Sequence, residues 1–370
     1  MRINNWRTQP LKELCTRIGD GLHGTPKYSE SSDIPFINGN NLKNGQILVT
    51  NNTNYVTEEE FERNFIKLDY NSLLLSINGT LGNMAFYNDE FVMLGKSAAY
   101  LNFKTDINTF YYYYFQLPGI QTYFYNVATG STIKNLSLKS IQDFEVPVPN
   151  KNEYQAIAKV LSDLDTKIEL NNKINTELEA MAKLIYDYWF VQFDFPDKNG
   201  KPYKCFGGKM VYNEELKREI PEGWEVGTLL DVANFQNGLA CQKYRPINND
   251  FLRVIKIKDM KEGFSEKTEK VRSDVPDKIK IFNGDILFSW SASLEVIQWS
   301  GGKGALNQHI FKVTSEKYPK SYYYFELLNY LQHFKMMAEL RKTTMGHITQ
   351  EHLKQSRIVI PPKKIINQLA

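Results

Sequence analysis

Short apolar runs bounded by Gly, Asn and Asp recur through the first 150 residues, among them Ile34-Pro-Phe-Ile37, Ser72-Leu-Leu-Leu-Ser-Ile77 and Ala98-Ala-Tyr-Leu-Asn-Phe103. Runs of that length with those flanks predict strands. Residues 107–128 and 318–341 place apolar side chains at helical intervals, and Pro118-Gly119 interrupts only the first. The stretch 152–192 differs in kind. It holds neither Gly nor Pro and is rich in Ala, Leu, Glu and Lys, all good helix formers. Ile157, Leu161, Leu164 and Ile168 follow the 4-3-4 spacing of a coiled-coil seam. In strict heptads the seam then meets Asn171 and Asn175. Apolar spacing resumes one position off, at Leu170, Ile174, Leu178, Met181, Ile185 and Tyr188, a slip that changes a supercoil locally. These residues predict a helical rod of roughly 60 Å whose apolar seam needs a partner.

The pattern occurs twice. Trp6-Arg-Thr-Gln-Pro-Leu-Lys-Glu-Leu14 is answered by Trp224-Glu-Val-Gly-Thr-Leu-Leu-Asp-Val232, and Asp20-Gly21 by Asn237-Gly238. Leu73-Leu-Leu-Ser-Ile-Asn-Gly-Thr-Leu81 is answered by Ile286-Leu-Phe-Ser-Trp-Ser-Ala-Ser-Leu294, and Tyr112-Tyr-Tyr-Phe115 by Tyr322-Tyr-Tyr-Phe325. Each copy closes on an extended segment, Glu145-Val-Pro147 and Val359-Ile-Pro361. A period this long is not that of a solenoid. The expected fold class is α+β: two similar domains of mixed strand and helix content, residues 1–150 and 220–361, joined by a coiled-coil-type helix over 151–193. Turn-forming residues such as Asp197-Lys-Asn-Gly200 mark 194–219 as a surface linker.

Composition narrows the picture. A chain of 370 residues with 42% apolar and 24% charged positions can hold two to three domains with their own cores. Its net charge of +3 means that any attraction to nucleic acid must come from local arrangement. The three cysteines, Cys15, Cys205 and Cys241, are odd in number, widely spaced and without metal spacing, which fits a reducing cytoplasm. The polar start and the lack of any apolar run of about 18 residues argue against a signal peptide or membrane span.

Catalytic signatures are missing. There is no nucleotide-binding Gly-rich loop, no phosphate cradle ending in Gly-Lys-Ser/Thr, and no Pro-Pro-aromatic tetrad of an amino-methyltransferase, since Pro361-Pro362 leads into Lys363. The five His residues lack metal spacing; His347 and His352 read as surface or satisfied polar groups. Pro196-Asp197 with Glu215-Leu-Lys217 spells a nuclease-like pattern, but both carboxylates lie in turn-like, polar surroundings rather than on adjacent strands. What remains are loop residues suited to base edges and phosphates. In the first copy these are His23, Thr25, Lys27 and Tyr28; Asn40 and Asn78; Lys96; and Ser131, Thr132, Lys134 and Asn135. In the second they are Asn237; Lys243, Tyr244 and Arg245; Lys256 and Lys258; Ser291 and Gln308; and Lys342, Thr343 and Thr344.

The tract Gly130-Ser-Thr-Ile-Lys-Asn-Leu-Ser-Leu-Lys-Ser-Ile-Gln-Asp-Phe-Glu-Val-Pro-Val-Pro149, followed by Gln155-Ala-Ile-Ala-Lys-Val-Leu-Ser-Asp-Leu-Asp-Thr-Lys-Ile-Glu169, resembles the specificity subunit of type I DNA restriction-modification systems. So do Tyr186-Asp-Tyr-Trp-Phe-Val-Gln-Phe-Asp-Phe-Pro196, Gly207-Gly-Lys-Met-Val-Tyr212 and Ile220-Pro-Glu-Gly-Trp224. The resemblance implies two target-recognition domains, each reading one half of a split DNA site, with long helices as a ruler. It implies a non-catalytic guide that binds no cofactor itself, while partner modification subunits use S-adenosylmethionine to methylate adenine and restriction subunits use ATP and Mg²⁺. In such proteins a second long helix packs antiparallel to the first. Here Pro361-Pro-Lys-Lys-Ile-Ile-Asn-Gln-Leu-Ala370 corresponds only to its beginning. An alternative expectation is therefore a truncated adaptor that oligomerises through Ile157, Leu161, Leu164, Ile168, Ile174, Leu178, Met181, Ile185 and Tyr188.

Overall fold

The computed structural model describes residues 6–340 and 347–369 and divides into two compact units, residues 1–173 and 174–370. In the first unit, strands β1 (Arg7–Pro10), β2 (Cys15–Asp20), β3 (Ile34–Ile37), β4 (Tyr55–Val56), β5 (Ser72–Ser76), β6 (Met84–Phe86), β7 (Met93–Leu94) and β8 (Ala98–Phe103) lead to helices α1 (Asn108–Phe115) and α2 (Pro118–Val127) and to strand β9 (Glu145–Val148). An antiparallel sheet runs in the order β2-β8-β5-β6. A smaller sheet places β3 between β4 and β7, antiparallel to the first and parallel to the second. Strand β1 pairs with β9 and so brings the ends of the repeat together.

The central strand explains why its sequence does not alternate. Leu73 and Leu75 face Leu101, Phe103 and the rings of α1 in one core. Leu74 faces Ile37, Leu94, Ala98 and Tyr100 in another. A strand covered on both sides reads as a continuous apolar run. Helix α1 is tied to the closing strand by the Tyr111 hydroxyl, which donates to the Pro147 carbonyl at 2.9 Å.

Helix α3 (Lys151–Tyr186) runs 36 residues, about 54 Å at 1.5 Å per residue, and passes into a π-type turn, Asp187–Val191. The division between the units falls within it. Tyr154 and Ala158 near its start join the first unit's core, and Tyr186 and Phe190 at its end join the second unit's core. From residue 163 to 181 every side chain is exposed. Of the seam, Ile157 and Leu161 are half-buried, whereas Leu164, Ile168, Ile174, Leu178, Met181 and Ile185 are exposed. Tyr188 is exposed too and lies beyond the α-helix, in the π-type turn.

The second unit repeats the plan. After a hairpin of β10 (Met210–Asn213) and β11 (Arg218–Pro221) come β12 (Glu225–Thr228), β13 (Asn234–Asn237), β14 (Phe251–Ile255), helix α4 (Ile257–Glu262), β15 (Lys270–Arg272), β16 (Lys280–Ile281), β17 (Ile286–Ser289), β18 (Glu295–Gln298), β19 (Gly304–Leu306) and β20 (Ile310–Thr314). Helix α5 (Lys320–Leu340), strand β21 (Arg357–Ile360) and helix α6 (Lys363–Leu369) follow. The main sheet is β13-β20-β17-β18, the second sheet β15-β14-β19-β16, and β12 pairs with β21. Ile286 and Phe288 enter one core and Leu287 the other. Tyr322 donates to the Val359 carbonyl at 3.1 Å, as Tyr111 does to Pro147.

Residues 194–219, expected as a surface linker, are partly built into this unit. Phe195 is buried, stacking on Trp224 at 5.1 Å and on Tyr203 at 4.6 Å. Aromatic residues set among turn formers anchor the segment that the turn formers alone would leave loose. Among the described residues no helix is long and apolar enough to cross a membrane.

One half-buried acid anchors the end of α3. The Tyr186 hydroxyl donates to the Glu326 carboxyl of α5. Glu326 keeps some exposure to a cleft of about 650 Å³ lined by Lys183, Arg218 and Arg357, but its carboxyl group lies deep. Burial pushes its pKa up to about 7, with the Tyr186 bond and Arg218 pulling the other way. The folded state therefore holds this proton more tightly than the unfolded chain does. That contribution to stability is complete below the ordinary glutamate range and is lost as pH rises through about 7. Glu326→Gln keeps an acceptor for Tyr186 without the charge. Its melting temperature should fall less than that of the unmodified protein between pH 5 and 8, by on the order of 5 °C in a calorimetric pH series.

Candidate nucleic-acid interface

Antiparallel pairing of β8 with β2 and β5 sets Ala99 opposite Asp20 and Ala98 opposite Ser76. The ends of β2 and β5 and the start of β8 thus share one edge of the sheet. The ends of β3 and β7 arrive there as well, since Gly95 N–H donates to the Ile37 carbonyl at 2.8 Å. Segment 129–135 closes over the edge: Asn135 bridges to Asn78 and Thr129, and Leu136 N–H donates to the Ile77 carbonyl at 2.9 Å. Side chains lock the loops. Ser97 donates to Asn38 Oδ1 at 2.8 Å and accepts from Gly39 N–H at 2.9 Å. His23 bonds to Asp20 at 2.8 Å, and Lys134 Nζ donates to the Ala128 carbonyl at 3.3 Å.

Among the described residues, the second unit repeats the main-chain N–H bonds that frame this edge. Ile77 N–H to Ser97 O, at 3.0 Å, recurs as Trp290 N–H to His309 O, at 3.3 Å. Leu136 N–H to Ile77 O recurs as Ile348 N–H to Trp290 O, each at 2.9 Å. Asn38 N–H to Asn41 Oδ1, at 3.0 Å, recurs as Lys256 N–H to Asp259 Oδ2, at 3.1 Å. The correspondence pairs Asn38 with Lys256, Ile77 with Trp290, Ser97 with His309, and Asn135 with His347. It also accounts for the two matched glycines. A Cβ on Gly21 would stand 2.0 Å from the Leu94 carbonyl oxygen, and one on Gly238 2.1 Å from that of Asn307. Only glycine lets the strand end approach so closely.

Half of the loop residues singled out from the sequence lie along these edges: His23, Asn40, Asn78, Lys96, Ser131, Thr132, Lys134 and Asn135 in one unit, and Asn237, Lys256 and Gln308 in the other. The run from Thr25 to Tyr28 leads away from the edge. Tyr28 bridges to Val56 on β4, beside the start of β3, with its ring 6.2 Å from Phe36. Lys243, Tyr244 and Arg245 are placed alike, Tyr244 lying under Arg272 at 5.4 Å, beside the start of β14. Lys256 pairs with Glu269 at 2.6 Å and Lys258 with Glu262 at 3.4 Å, so part of their charge is offset locally. Ser291 is a correction: only 5% of it is exposed, so it is not free to meet a groove. Lys342, Thr343 and Thr344 lie outside the described residues. Sequence reasoning passed over Trp290, though it took in the loop runs that carry Asn38, Ser97 and His309. The alignment of the two copies held the signal, because a tryptophan stands where the first copy has Ile77.

Other candidate chemistry is accounted for. Asp197 Oδ1 accepts from the N–H groups of Asn199 and Lys201 at 2.7 and 2.8 Å. Glu215 pairs with Arg357 at 2.6 Å and Lys217 with Glu214 at 3.2 Å. The nuclease-like pattern is thus spent on turns and surface pairs. His352 is buried and accepts from Thr349 N–H at 3.0 Å as part of a helix cap. Among the described residues no group of three or more His, Cys, Asp or Glu could hold a metal ion.

A family profile described as the type I restriction modification DNA specificity domain matches twice, over residues 3–180 and 221–369. The type I restriction enzyme MjaIX specificity subunit of Methanocaldococcus jannaschii is 24% identical over 379 aligned residues, which cover 98% of this chain and 85% of that one. The MjaVIII specificity subunit of the same organism is 24% identical over 76% of this chain and 65% of its own length. A crystal structure of a type I restriction-modification system S subunit from M. genitalium covers 100% of this chain and 89% of its own, with a TM-score of 0.57 at 15% identity, and so shares the fold.

Proposed function

The chain belongs to the type I restriction modification DNA specificity family, carrying its domain twice, and on that premise we propose how it works. It is a non-catalytic specificity subunit that recognises DNA by sequence within a type I restriction-modification system, where its partners are DNA and the catalytic subunits. Each unit reads one half of a bipartite site with the loops at its sheet edge, and helix α3 sets the spacing between the halves. One observation carries this reading: the same edge, with the same backbone bonds, is built twice while its side chains differ. A shared scaffold with divergent reading residues suits two half-sites of different sequence. Lys96 and Lys134 serve phosphates, which position without specifying, while Asn78, Asn135 and Asn237 serve base edges. The partners are modification subunits that use S-adenosylmethionine to methylate an adenine turned out of the duplex and restriction subunits that use ATP and Mg²⁺. This chain binds none of these cofactors. The site of action is the cytoplasm, in keeping with three free thiols.

The exposed residues of α3 support a helical partner, from the modification subunits or a second copy. Leu164, Ile168, Leu178 and Met181 are 51 to 58% exposed, and a stripe of that kind is buried in an assembly. If a second copy covers it, mass measurement in solution should give a dimer for the unmodified chain and a monomer for the double variant Leu161→Lys, Leu164→Lys. An unchanged mass for the variant would remove the seam as the self-association surface.

The modular reading is tested by exchange. Replacing residues 1–150 with the corresponding domain of another specificity subunit should change one half of the methylated site and leave the other half as it was, as read by methylome sequencing. A change in both halves would refute independent reading.

A further inference from the structure

The two edges differ most at one point. In the first unit Ile77 is buried in the core at 3% exposure. At the matching position the second unit places Trp290, which is only half-buried and leans on Phe311 at 6.0 Å. Its indole N–H donates to Asn237 Oδ1 at 2.9 Å, fixing the ring at the end of β13. The rings of His309 and His347 lie 5.4 and 5.6 Å away. His309 Nε2 bonds to Gln308 at 3.1 Å, while its Nδ1 is buried and has no hydrogen-bond partner among the described residues. An orphaned buried nitrogen is costly. It stands beside a rigid aromatic face that the fold does not require, since an aliphatic residue fills the same place in the first unit.

We infer that Trp290, held by Asn237 and flanked by His309 and His347, makes an aromatic contact with a base of the half-site served by the second unit. This rests on the DNA-reading function above and adds the residue that does the reading. A fixed indole is placed at little entropic cost, and in a duplex such a ring reaches a base as an apolar wedge at a base step or against a thymine methyl group, a non-ionic contribution to binding. The first unit has no counterpart, because Ile77 is covered and Ser97 and Asn135 replace the imidazoles. The second half-site therefore depends on stacking or wedge contact in a way the first does not.

The test uses the full chain and duplex libraries with the two half-sites randomised separately. Trp290→Ile installs the residue that the first unit already carries at this place, and Trp290→Phe keeps an aromatic ring. The unmodified protein should select a bipartite site. Trp290→Ile should lose about tenfold or more discrimination at one or two base positions in one half only, while Trp290→Phe retains most of it. The difference in fluorescence between the unmodified protein and Trp290→Phe should change on adding the selected duplex, and not on adding one scrambled in that half. An even loss of affinity across all sequences, or an unaltered preference with Trp290→Ile, would overturn the contact and leave DNA recognition standing. If the unmodified chain selects no duplex at all, the DNA-reading function itself falls.

Discussion

Burial of one strand on both faces is the constraint from which each unit follows. Leu73, Leu74 and Leu75, and likewise Ile286, Leu287 and Phe288, leave no face of the central strand for solvent or ligand. Chemistry that meets a partner must then sit where the strands end. The pairing register gathers three or more of those ends at one edge in each unit. Close approach of Gly21 and Gly238 to neighbouring carbonyl groups fixes where the first loop leaves that edge. The scaffold is stiff, and its rim is free to differ.

That freedom separates the two units chemically. At the matched positions the first unit carries Asn38, a buried Ile77, Ser97 and Asn135. The second carries the larger Lys256, Trp290, His309 and His347, which give its edge an aromatic character that the first lacks. The backbone bonds beneath are the same within a few tenths of an ångström, so the exchange of side chains does not disturb the frame. A protein with a net charge of +3 has little general attraction for a polyanion. Its discrimination must come from such local groups, with phosphate contacts supplying salt-dependent affinity.

Much of this was legible in the sequence. The duplicated landmarks, the strands around Leu73 and Ile286, and the helix free of Gly and Pro all carry strong local signals, because periodicity and turn formers act over a few residues. The rim was legible in part. Asn78, Lys96 and Asn135 stand out as polar loop positions, but whether a loop residue reaches the edge depends on strand pairing over tens of residues. Tyr28 and Tyr244 share a composition with true rim residues and sit beside the start of a strand instead. Ser291 looked like a loop hydroxyl and is buried. Trp290 was hidden for the opposite reason, since a tryptophan in an apolar run reads as core until its register partner is known. The anchoring of residues 194–219 escaped notice because Phe195 and Trp224 meet only in three dimensions.

Helix α3 carries the remaining part of the account, that the spacing of two half-sites is set by one uninterrupted helix. Inserting a heptad between Thr166 and Asn172 lengthens it by about 10 Å and turns it by only about 20°. At 3.4 Å per base pair along the duplex, the methylated site of the variant should carry a spacer about three base pairs longer, with both half-sites unaltered. A variant that methylates the original spacing would contradict the role given to the helix.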